Sequence, residues 1–158
     1  MLTMGFQPEV RPDPVGFEHR SDPGSASAGD LLWYYFLGDV RITAGGTELV
    51  SKFGSIPLLH FVSGALAARD TLAGNSVSSY EYQLTETDDQ ITFRRNDDVL
   101  TVECTFAPGV ATASFGDFPS DVCSFVQREV QKVLHDFPGL RQHPVVDGVL
   151  RRCDLENR

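Results

Sequence analysis

The chain has 158 residues, 41% of them hydrophobic, and carries 22 acidic against 13 basic side chains, a formal net charge of −9. That length suits one domain, large enough to bury a core without help from a disulfide or a metal. The charge excludes an electrostatic grip on nucleic-acid phosphates or an anionic membrane surface, and leaves a basic protein, a small molecule or no partner at all.

Residues 1–29 hold four of the nine prolines (Pro8, Pro12, Pro14 and Pro23) together with Gly24, Ser25, Ser27 and Gly29. This predicts a loop-rich N-terminal segment, with Phe6, Val10, Val15 and Phe17 available to pin it to the body. A single domain is expected over residues 30–158. Leu31 to Thr43 is rich in aromatic and β-branched residues and reads as a strand, bent or bulged at Gly38-Asp39. Ala44-Gly45-Gly46 turns it back into a short partner, Thr47 to Val50. Pro57 then suits the first turn of a helix. Leu58, Phe61, Val62, Ala65, Leu66, Arg69 and Leu72 recur at three- and four-residue steps as far as Gly74-Asn75.

Three runs of period two follow: Tyr80 to Thr85, Ile91 to Arg94 and Leu100 to Phe106. Asp88-Asp89, Asn96-Asp97-Asp98 and Pro108-Gly109 supply turn chemistry between and after them. Val110 to Phe115 makes a weaker fourth strand. Asp117 or Ser120 caps a second helix, whose stripe is Val122, Phe125, Val126, Val130, Val133, Leu134 and Phe137, and Pro138-Gly139 stops it. The tail from Leu140 adds one short helical turn around Val145 to Leu150. The expected fold class is therefore α+β: an antiparallel β-meander with two amphipathic helices packed on one face, the other face left polar.

Few residues make a case for chemistry. Cys104, Cys123 and Cys153 are odd in number and widely spaced, which fits free thiols in a reducing cytosol. No signal peptide is recognisable in Met1 to Glu9, and the longest apolar run, Leu31 to Leu37, falls far short of the ~20 residues that span a bilayer. A cytoplasmic protein is expected. There is no phosphate loop, no G-x-S-x-G elbow and no C-x-x-C or H-x-x-x-H spacing, so no cofactor, no metal and no enzymatic activity are expected. Cys123, in the first turns of its helix, is the one thiol with a physical argument for reactivity, set against the commoner role of a small core residue. His60 reads as a half-buried structural residue and His135 as a cation at a helix C-terminus; His19 and His143 fall in loops.

The charge is more telling. Ser79 to Phe125 holds nine carboxylates against only Arg94 and Arg95, −7 of the chain's −9. Acidic turn residues often do no more than hydrogen-bond locally. Converging, they would form a negative patch that steers a basic partner, and Glu81, Asp88, Asp89, Asp97, Asp98 and Glu103 are the expected contacts. Glu81 and Glu103 could share one sheet face as an acid–base pair, but an open polar face does not separate their pKa values.

The run Gly38-Asp39-Val40-Arg41, Phe53-Gly54 and Ile56-Pro57-Leu58-Leu59-His60-Phe61, followed by a meander and a terminal helix, resembles a group of small bacterial α+β proteins. Several proteins of this size and charge are immunity proteins, which block a toxin made by the same cell. The resemblance spans about Asp30 to Val146 and rests on structural motifs, so no functional residue is carried over. It implies a non-enzymatic inhibitor whose partner is a basic toxin. The alternative is a homodimer or larger homo-oligomer of structural or regulatory role, joined through Trp33, Tyr34, Tyr35 and Phe36 if that aromatic run is not all core.

Overall fold

The structure is a computed structural model that describes residues 1–154; the expected domain's last four residues, 155–158, lie outside the described residues. Its fold is α+β, with four α-helices and two antiparallel sheets among the described residues. The N-terminal segment is not wholly loop. Leu2 and Met4 are buried on either side of exposed Thr3, and this alternation starts β1 (Thr3–Pro8). It pairs with β2 (Leu37–Ala44) from Thr3 opposite Thr43 to Pro8 opposite Gly38. The prolines stand only at the end of β1 and beyond it. Gly38 is not a bulge but a site of close approach, since a Cβ there would lie 2.2 Å from the Gln7 carbonyl oxygen.

The aromatic run does not form one strand. Ser27 Oγ accepts the Asp30 N–H at 3.1 Å and caps α1 (Ala28–Tyr34), which turns Leu31 fully inward. Phe36, at φ +56°, then reverses the chain into β2, its N–H donating to Glu18 Oε1 at 3.0 Å. Strand propensity here yields to a cap and to burial, as it often does.

β3 (Thr47–Val50) returns along β2, and the two-residue β4 (Ile56–Pro57) pairs with the start of β2. Asp39 organises the connection between them. Its Oδ1 accepts from Ser51 Oγ at 2.7 Å, Phe53 N at 2.8 Å and Gly54 N at 2.9 Å, while Ser51 Oγ accepts the Val40 N–H.

α2 (Leu58–Ala73) is apolar almost all round and correspondingly buried, Arg69 included. The second sheet has the order β5-β6-β7-β8, comprising β5 (Val77–Gln83), β6 (Gln90–Asn96), β7 (Val99–Cys104) and β8 (Ala107–Ser114). The two sheets adjoin along β3 and β8. α3 (Phe118–Asp136) packs against β1 and α2, and α4 (Pro144–Asp154) against α3. α4 is a full helix of 11 residues where a single turn was expected, because Val146, Val149 and Cys153 repeat on one buried side.

Rings from four elements meet in the core. Phe61 of α2 lies 5.7 Å from Phe125 of α3 and 5.4 Å from Tyr82 of β5, while Phe93 of β6 lies 5.9 Å from Phe118. Edge-on and tilted contacts of this kind add to the burial of the rings. Among the described residues no helix is long and apolar enough to cross a membrane.

Candidate functional site

Period two puts Tyr80, Tyr82, Ile91, Phe93, Leu100 and Val102 on the inner side of the second sheet, and Ser79, Glu81, Arg94, Thr101, Glu103 and Thr112 on the other. Glu81 and Glu103 stand opposite Thr92 from the two flanking strands. Two strand spacings separate them by about 10 Å. Glu103 is ion-paired with Arg94, so the two carboxylates are not a pair in the catalytic sense.

Asp88 and Asp89 lie in the turn between β5 and β6. Leu84 N–H donates to the Asp89 carbonyl at 2.9 Å and closes that turn, and Asp89 Oδ1 accepts from Thr105 Oγ1 at 2.7 Å. Thr105 Oγ1 in turn accepts the Gln90 N–H. Asp97 and Asp98 occupy the two-residue turn at the other end of β6, with Asp97 at φ +53°. Its N–H donates to Ser76 O, and Phe115 N–H donates to Asp98 O, so both backbones are structural.

The six expected contacts therefore do not form one patch. Asp88 and Asp89 lie with Glu86 in the turn at one end of the sheet, Glu81 and Glu103 flank Thr92 about 10 Å in from that turn, and Asp97 and Asp98 lie at the other end of β6, about 25 Å from Asp89. Among the described residues Glu81, Glu86, Asp88, Asp89, Asp97 and Asp98 form no ion pair.

Next to the acidic end lies a surface of which the sequence offered only the Trp33-Tyr34 part, as an oligomer contact; its closure by Phe17, Phe53 and Glu86 was not foreseen. A hollow of about 430 Å³ is bounded by Phe17, Trp33, Tyr34 and Phe53, with Arg11 and Glu86 on its wall. Trp33 is 42% and Tyr34 44% exposed, whereas Tyr35 and Phe36 are buried, so the aromatic run is divided between surface and core. Phe17 stacks on Tyr34 at 5.1 Å, and Arg20 sits over the Phe17 ring at 5.6 Å. Arg11 donates to the Gly54 carbonyl and lies 3.7 Å from Glu9. A neighbouring hollow is lined by Phe53, Phe106, Asp89, Glu48 and Lys52, so Phe53 is common to both. The one signal in the sequence was the density of aromatic residues between Trp33 and Phe36.

A third opening, about 400 Å³, lies between β1 and the end of α3, with Phe6, Phe36, Leu58, Val133 and Phe137 as its apolar wall. Three of its carboxylates, Glu9, Glu18 and Glu129, take part in contacts within the chain, although the buried Glu9 Oε2 accepts no hydrogen bond among the described residues. Glu9 Oε1 accepts the Val15 and Gly16 N–H groups, Glu18 accepts that of Phe36, and buried Glu129 is held by Arg128 and Lys132. Of these, Glu18, through Phe36, joins β1 in fixing the N-terminal segment to the body; Val10, 86% exposed, does not.

The remaining titratable groups have structural surroundings. His60 Nδ1 is 2.8 Å from Tyr82 Oη and its ring lies against Trp33. Burial holds the His60 imidazole below its ordinary pKa and pushes the Tyr82 phenol well above its own. His143 is not an idle loop residue: it accepts the Val145 N–H at Nδ1 and contacts Ala26 O through Nε2, tying the N-terminal segment to α4. Cys123 is buried and receives an N–H from Arg69 at 3.0 Å; Cys153 is also buried, and burial raises the pKa of the Cys104 thiol. His135 and His19 are exposed. No group of three or more His, Cys, Asp or Glu side chains among the described residues could hold a metal ion.

No protein-family model, no curated protein and no solved structure matches the chain.

Proposed function

We propose that this chain is a non-enzymatic, acidic binding protein, an immunity-type inhibitor that covers a basic surface of a cognate toxin in the cytoplasm. In this reading the β5–β8 sheet serves as a meander backed by helices on one face, and the acidic end of its other face meets the partner. The observation that carries it is the gathering of Glu81, Glu86, Asp88, Asp89 and Glu103 toward one end of an open sheet, with Arg94 alone paired among them. Carboxylates left without cations at a surface raise the association rate with a basic partner and give it orientation.

The test is co-expression with the product of the neighbouring open reading frame, scoring survival and co-purification. A toxic neighbour held in a stoichiometric complex is the expected result. Reversal of Glu86, Asp88 and Asp89 to Lys then abolishes the complex, while reversal of Asp97 and Asp98 leaves it standing. A complex indifferent to the first set of changes would overturn the acidic-end mechanism.

The second reading, a homodimer through the aromatic run, has one observation in its favour: the exposure of Trp33 and Tyr34. A salt-insensitive dimer in sedimentation would favour it.

A further inference from the structure

Resting on the reading above, we infer that the hollow between Trp33, Tyr34 and Phe53 is the anchor of the interface and that it receives an arginine side chain of the basic partner. Interfaces are held by a few aromatic residues at the centre of a patch, ringed by polar groups that exclude water. The acidic turn has that relation to the hollow. Glu86 lies on the wall of the hollow, and Asp89 lines the adjoining one across the shared ring of Phe53. Aromatic faces and the Glu86 carboxylate therefore meet in one volume of about 430 Å³, with Asp89 in the hollow beside it.

Arginine is the occupant that satisfies both sides. Its guanidinium lies flat on Trp or Tyr faces while its N–H groups reach a carboxylate, which an ammonium does less well. The chain already seats a guanidinium on an aromatic ring at the margin of the same patch, where Arg20 lies over Phe17 and donates to the Val15 carbonyl. The one cation on the wall, Arg11, is engaged by Gly54 O and Glu9, whereas Glu86 has no ion pair among the described residues.

Trp33 is the only tryptophan, so its emission reports the hollow alone. The experiment titrates the full chain with a dye-labelled, end-blocked oligoarginine at about 0.15 M salt, reading dye anisotropy for binding and tryptophan emission for location. Saturable binding with a parallel change in emission is expected. Trp33→Ala or Glu86→Lys should weaken it about tenfold, with oligolysine of equal length the weaker ligand. Both positions are exposed, and unchanged circular dichroism will verify the fold. Binding that leaves Trp33 emission unchanged and is indifferent to Trp33→Ala overturns the arginine anchor but not the acidic binding protein. Absence of binding overturns both. Self-association that shields Trp33 from added oligoarginine assigns the hollow to a second copy and overturns the inference.

Discussion

Gly64 shows how one residue can reverse a general rule. Within a helix, Gly→Ala ordinarily stabilises by about 1 kcal/mol. At Gly64 a Cβ would stand 2.3 Å from the Tyr82 ring, which is buried and tied to His60. The ring cannot step aside without giving up that contact. Gly64→Ala is therefore expected to destabilise by roughly 1–3 kcal/mol, seen as a lower urea midpoint with unchanged slope. A rise in the midpoint would show that Tyr82 moves freely.

Among the connections, the stretch between β3 and β4 depends on a single carboxylate oxygen. Asp39 Oδ1 collects a hydroxyl and two backbone N–H groups. Asp39→Ala leaves those donors without their acceptor and is expected to cost about 2–3 kcal/mol in chemical denaturation. A loss of less than about half that would mean water replaces the carboxylate.

None of this was legible in the sequence, where Gly38-Asp39 read as a bulge or bend, because the partners of Asp39 lie 12 to 15 positions away. What was legible was local. Period two located the strands of the second sheet, and three- and four-residue spacing located α2 and α3. The run Leu31 to Phe36 was misread because β-propensity and helical spacing compete there, and the deciding cap at Ser27 lies outside it. The acidic turns were recognised one by one. Their separation to opposite ends of β6 follows from their places in the turns before and after that strand, whereas the facing of Glu81 and Glu103 across Thr92 depends on the strand register.

For the whole molecule, acidification has two opposing effects on stability. Lowering the pH toward the isoelectric point near 4.7 relieves the repulsion of a net charge of −9. His60 acts the other way. Its folded pKa is depressed below 6.5, so the unfolded chain binds its proton first and stability falls as the pH drops below that value. Above it the contribution is fully present. His60→Gln removes this term, so the stability gap between wild type and variant should be constant at higher pH and narrow as the pH falls below about 6.5. Urea unfolding across that range will show it, and a constant gap throughout would remove His60 as the cause.

The first strand is also fastened by the last long helix but one. Leu2 N–H donates to Asp121 and the Met4 carbonyl accepts from Arg128, both on α3. These contacts span 119 and 124 positions. On a ribosome adding about 5–20 residues per second, the clasp on β1 waits roughly 6–25 s after its residues are made. Until then β1 has only β2 to hold it, and its outer edge is open. For those seconds the nascent chain is a sheet without its clasp, and whatever shields that edge in the cell must act before α3 emerges.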